Sequence, residues 1–122
     1  MTATLDNVRD YLKDAAGKTN LVTYAELYNH FGYRTGMPND ANPIPMFLGI
    51  LMTENTKHNL PLLPSIVLCK QKDKPKDLLV PNKTYFKRLG EIKGVTPPKG
   101  IKEKRALHKK EVAAVFAHYA KA

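Results

Sequence analysis

The apolar residues of this chain recur at helical spacing in segments that begin at capping residues and stop at glycine, a punctuation that predicts several short helices. Leu5, Val8, Tyr11, Leu12, Ala15 and Ala16 share one face of a first helix, with Thr4 placed to cap it and Gly17 to end it. Thr23 and Glu26 have the spacing of a capping box and open a second helix that runs to about Phe31, before Gly32. Gly36, Pro38 and the Asn and Asp residues around them make 33 to 42 a loop. The third helix starts near Pro43, where the first turn tolerates proline, and extends to about Lys57, apolar almost all round. A chain of 122 residues suits one domain with one core.

The second half reads differently. Leu21 and Val22 can form a very short strand, and Ser65-Ile66-Val67-Leu68-Cys69 suits a buried one. Leu78-Leu79-Val80 is expected to return as its hairpin partner, with Lys70 to Asp77 as the tip. A short helix is expected over 83 to 89, ending at Gly90, and a final helix carries Val112, Val115, Phe116 and Tyr119 on one face. The expected fold class is α+β: a winged-helix-like three-helix core with a two-stranded hairpin and a C-terminal helix. Residues 1 to 93 form the domain, 94 to 101 a linker, and 102 to 122 a basic helix packed on or extending it.

Three short motifs carry a family resemblance. Thr23-Tyr24 with Leu27 opens the second helix, Gly49, Met52 and Asn55 space the third, and Leu60-Pro61-Leu62-Leu63-Pro64 leads into the following segment. In these, residues 21 to 67 resemble the DNA-binding winged-helix domain of the O6-alkylguanine DNA alkyltransferases and alkyltransferase-like proteins. The resemblance implies a winged-helix fold. It does not carry the chemistry: the family's reactive cysteine sits in a Pro-Cys-His-Arg motif, whereas here Pro64 is followed by Ser65-Ile66-Val67. Met46 stands where the family inserts an arginine into the duplex, so the resemblance also gives no support for base flipping.

Charge is unevenly placed. Residues 1 to 69 carry five basic and six acidic side chains, while 70 to 110 carry fourteen basic and four acidic. A concentrated positive field attracts polyanions, of which nucleic acid is the commonest; a solvated lysine-rich surface is the plainer alternative. Lys70, Lys72, Lys74 and Lys76 alternate along the expected hairpin tip, as phosphate contacts or as a solvated turn. Lys83, Lys87 and Arg88 lie beside Tyr85 and Phe86, whose rings either stack on bases or anchor the core. Lys102, Lys104, Arg105, Lys109 and Lys110, with His108 nearby, give the last helix a basic end. That end suits a backbone groove through counterion release, or an acidic protein; its weak apolar face argues against a membrane anchor.

Several functions find no residues to carry them. His30, His58, His108 and His118 lack zinc-site spacing, and there is no Gly-rich phosphate loop, nucleophile elbow or paired-carboxylate motif, so neither a metal, a cofactor nor catalysis is expected. Cys69 is the one cysteine, which excludes an internal disulfide, and a buried, inert thiol is expected. No apolar run approaches the ~20 residues that span a bilayer, and residues 1 to 7 lack signal-peptide character, so a soluble cytoplasmic protein is expected. Base readout is disfavoured because the third helix offers polar groups only at Thr53 to Lys57. The sequence thus predicts a non-catalytic protein that binds nucleic acid, double-stranded DNA foremost, mainly through its phosphates. The alternative is a small adaptor or inhibitor, of the kind phages and mobile elements encode, docking its basic surface on an acidic partner.

Overall fold

The computed structural model describes residues 3–38 and 40–120, and these form a mixed helix and strand fold. In chain order it has α1 (Leu5–Gly17), β1 (Val22–Thr23), α2 (Tyr24–His30), α3 (Ile44–Lys57), a 3-10 helix (Leu63–Ile66), β2 (Val67–Leu68), a second 3-10 helix (Lys76–Leu78), α4 (Lys83–Lys93) and α5 (Ile101–Tyr119). The expected caps are present. Thr4 Oγ accepts the Asn7 N–H at 3.0 Å, and Thr23 and Glu26 exchange both bonds of a capping box.

α3 is apolar on nearly every side because it serves two clusters. Ile44, Leu48 and Leu51 join Val8 and Leu12 of α1, Leu27 of α2, Leu63 and Ile66 in the main core. Met52, one residue further round, belongs to a second cluster with Leu62, Val80, Tyr85, Phe86 and Leu89. Burying each of the larger side chains contributes about 1.5–3 kcal/mol, so this helix anchors both halves of the molecule. α5 closes the main core through the fully buried Val115, with Phe116 and Tyr119 packed partly against it.

The strand pairing departs from the sequence expectation. β2 pairs with β1, parallel, in the register Val22 to Val67 and Thr23 to Leu68, instead of forming a hairpin with 78 to 80. Ser65 and Ile66, expected within the strand, lie in the 3-10 helix behind Pro64. The 78 to 80 segment approaches through one backbone bond, Cys69 N–H to the Val80 carbonyl at 2.9 Å. Two of its donors are spent locally: Leu78 N–H bonds Pro75 O and Leu79 N–H bonds Lys76 O, both at 3.1 Å, and the following Pro81 has no N–H to give. A short continuous apolar run such as Leu78-Leu79-Val80 does not distinguish a ladder partner from a buried coil.

The fourth helix also runs past its expected end. Gly90 lies inside α4, and the helix stops at Gly94, whose φ of 69° is the left-handed conformation of a helix terminus. Gly90 serves packing: a Cβ there would sit 2.8 Å from the Val95 carbonyl oxygen and 2.9 Å from Pro97 Cγ. The glycine thus lets the 94 to 100 connection fold back onto α4 before α5 begins.

Candidate nucleic-acid interface

A chain of buried polar contacts holds the basic half together. Ser65 Oγ and the Tyr85 hydroxyl share a 2.6 Å hydrogen bond, joining the 3-10 helix to α4. His108 Nε2–H donates to the Ser65 carbonyl at 2.6 Å, joining the same turn to α5. Burial holds the His108 imidazole below its ordinary value, with the Ser65 bond pulling weakly the other way. Burial likewise drives the Tyr85 phenol up, against the smaller effect of its Ser65 hydrogen bond, so it stays protonated. His108, expected only near a basic surface, is an internal tether.

The predicted cations fall into three environments. Lys70, Lys72, Lys74, Lys83, Lys87, Lys102, Lys109 and Lys110 are exposed, and their ammonium groups have no partner among the described residues. Lys76 is committed: its Nζ lies 2.8 Å from a Glu26 carboxylate oxygen and 3.2 Å from the Leu21 carbonyl, pinning the loop to α2 and β1. Burial alone would raise the Glu26 carboxyl, but Lys76 and the Thr23 N–H hold it below the usual carboxylate range. Lys104 and Arg105 are half-committed, with Lys104 Nζ 5.6 Å from the Phe86 ring centre and Arg105 Nε–H donating to the Leu78 carbonyl at 3.2 Å. Tyr85 and Phe86 are buried core anchors, 4% and 2% exposed, which removes them as stacking platforms for bases.

These contacts set the layout. Arg105 bonds the end of the 69–79 loop, and Lys102 and Lys109 stand three before and four after it on the same flank of α5. That flank therefore meets the loop at Leu78, and Lys70, Lys72 and Lys74 stand exposed earlier in the same loop. Lys104 and Glu111 occupy the other flank, against Phe86 and Lys93 of α4. Lys110 projects away from the side of α5 that carries His108 and Val115.

α3 has little left for reading bases. Thr53 Oγ bonds the Gly49 carbonyl at 3.3 Å, Thr56 Oγ bonds the Met52 carbonyl at 2.8 Å, and Asn55 Oδ1 accepts the Leu63 N–H at 2.9 Å. Glu54 takes two hydrogen bonds from Arg9 of α1, at 2.9 and 2.8 Å. Of the polar positions expected to face outward, Lys57 alone is uncommitted among the described residues, and Met46 and Ile50 present an apolar surface at 57% and 40% exposure.

Arg88 is set apart from the other cations. Half-buried on α4, it lays its guanidinium over α3 at Gly49, where a Cβ would fall 1.1 Å from one of its nitrogens. It has no ion pair among the described residues, and it walls a cavity of about 400 Å³ between the 33–42 loop, α3 and α4. Arg34, from that loop, lines the same cavity and is likewise unpaired among the described residues. Nothing in the loop's composition had singled out Arg34.

Cys69 is half-buried and desolvation raises its thiol, which disfavours the reactive thiolate. Among the described residues no group of three His, Cys, Asp or Glu side chains is placed to hold a metal ion. Among the same residues no helix is long and apolar enough to cross a membrane. Compared with family models, with curated proteins and with solved structures, the chain matches none.

Proposed function

We propose that this protein is a non-catalytic nucleic-acid-binding protein that grips the phosphate backbone, double-stranded DNA foremost, along the edge formed by the 69–79 loop and the first half of α5. In this reading α1, α2 and α3 are the helices of a winged-helix-like unit and the lysine loop acts as its wing. The observation that supports it is the Arg105 bond to the Leu78 carbonyl, which ties the flank of α5 carrying Lys102 and Lys109 to the end of the loop that carries Lys70, Lys72 and Lys74. Exposed, unpaired ammonium groups on two adjoining segments supply salt-dependent affinity without sequence information. The commitment of Thr53, Glu54, Asn55 and Thr56 within the fold supports backbone contact over base readout.

The test is binding to fluorescent duplex DNA, single-stranded DNA and RNA across a salt series. Changing Lys70, Lys72 and Lys74 together to Ala should weaken binding and lower the slope of log affinity against log salt by about three, one per lost phosphate contact. Absence of binding to all three at low salt overturns the proposal. It would favour the second reading, an acidic protein partner, for which the exposed Met46 and Ile50 of α3 offer an apolar centre.

A further inference from the structure

We propose that the cavity between the 33–42 loop, α3 and α4 binds a nucleoside 5′-monophosphate, its phosphate held by Arg34 and Arg88 and its ring seated against Tyr24, Met37 and Met46. The proposal does not depend on the lysine edge, because it uses different residues on a different part of the molecule. Two arginines line this cavity and neither has a carboxylate among the described residues. Arg34 is exposed and Arg88 half-buried, and the half-buried guanidinium with no counter-charge carries a desolvation cost that a bound anion would offset. The planar fork of arginine matches phosphate oxygens in pairs, a geometry lysine does not offer.

The remaining lining suits a planar ring. Tyr24, Met37 and Met46, which line the cavity and are not buried in the core, are aromatic or polarizable surfaces that favour flat, electron-rich ligands. Asn42 and Asn82 also line the cavity. Each has spent its carbonyl oxygen on a backbone N–H, Asn42 on Ile44 at 3.0 Å and Asn82 on Tyr85 at 3.0 Å. Their amide NH2 groups therefore remain as donors, suited to the carbonyl and ring-nitrogen acceptors of a base. A volume of about 400 Å³ falls in the range of roughly 300–1,000 Å³ typical of small-molecule sites. Gly49 completes the design, since its missing side chain is what lets Arg88 lie against α3 at the wall of the cavity.

Three of the four methionines, Met37, Met46 and Met52, line the cavity, so their methyl NMR signals report on it directly. The full chain is titrated with AMP, GMP, CMP and UMP at constant ionic strength, beside adenosine and inorganic phosphate. Saturable shifts of the three methyl signals are expected with at least one nucleotide, and at least about tenfold weaker binding of adenosine or phosphate alone. Arg88→Gln should weaken nucleotide binding about tenfold or more, the scale of a lost hydrogen bond to a charged group. Gly49→Ala, which forces only the far end of the Arg88 side chain to shift, should weaken it in a folded protein. The Lys70, Lys72 and Lys74 triple variant should bind the nucleotide as the parent does. A further titration compares 5′-phosphorylated with 5′-hydroxyl oligonucleotides: a tenfold preference for the phosphorylated strand assigns the nucleotide to a strand end, and binding of the free nucleotide alone assigns it to the soluble pool. Either supports the site. No shift of these methyl signals with any phosphorylated ligand overturns the proposal, as does unchanged affinity in Arg88→Gln. Equal loss in the lysine variant would do the same, because the binding would then be general electrostatics.

Discussion

The lysine edge and the arginine cavity are both cationic, yet they are built on opposite principles. Along the 69–79 loop and α5 the free cations are exposed lysines on flexible stems, acting as a field that any polyanion feels and salt screens. At the cavity the cations are arginines, and Arg88 lies over the bare backbone of Gly49 in a lining of mixed polar and apolar side chains. The first arrangement favours capture without selection; the second favours a ligand of defined shape. The basic half supplied the lysines and Arg88, which only the packing of α4 against α3 separated, whereas Arg34 came from the 33–42 loop of the first half.

The two regions meet at the Ser65, Tyr85 and His108 contacts, so the largest test of their separation is made there. Tyr85→Phe leaves the buried Ser65 hydroxyl without its partner and should cost about 1–3 kcal/mol of unfolding free energy, measured by urea denaturation. If the regions are independent modules, the variant should keep the salt slope for DNA while changing the methyl signals of the cavity. Loss of both together would show that one tether serves both.

Acid should loosen the α5 side next. Burial keeps His108 neutral in the fold below the pH at which the unfolded chain, with a value near 6.5, takes up a proton. Stability from this tether is therefore complete above about pH 6.5 and declines as pH falls from there through the lower folded value. Urea midpoints at pH 7.5 and 5.5 should differ, and His108→Gln should shrink the difference. The Glu26 carboxyl, also held low, gives way only below its ordinary value of 4.5, so its loss begins at a lower pH than that of His108.

Smaller effects sharpen the contrast within each region. Gly49→Ala should leave stability unchanged or raise it by up to about 1 kcal/mol, because alanine favours the helix and the displaced group is the far end of Arg88. Its effect should be confined to the cavity. Lys76→Ala should cost less than about 1 kcal/mol, since its pair with Glu26 is roughly half exposed. It should also lower the DNA salt slope less than loss of Lys70, Lys72 or Lys74 does. A drop equal to theirs would show that Lys76 leaves Glu26 to meet phosphate.

How far the chain could be read depended on the range of the interactions concerned. α1, α2 and α3 were legible because their signals are local: Thr4 and Thr23 bond groups three residues away, and Val8, Leu12 and Ala15 mark a face by their own spacing. Gly90 misled because a glycine inside a helix looks like one that ends it, and only the Val95 carbonyl and Pro97 lying against it reveal the difference. Lys76 looked like its neighbours until Glu26, fifty positions earlier, was found beside it.

By itself the sequence determined where helices start and stop, that the charge is concentrated in one half, and that no familiar catalytic or metal-binding pattern is present. Each of these depends on neighbouring residues or on composition. The tertiary structure alone decided that Val67 pairs with Val22, that Tyr85, Phe86 and His108 turn inward, and that Arg34 and Arg88 share a cavity. Those outcomes follow from which surfaces close on one another across twenty or more residues, and packing of that range leaves no mark on local periodicity.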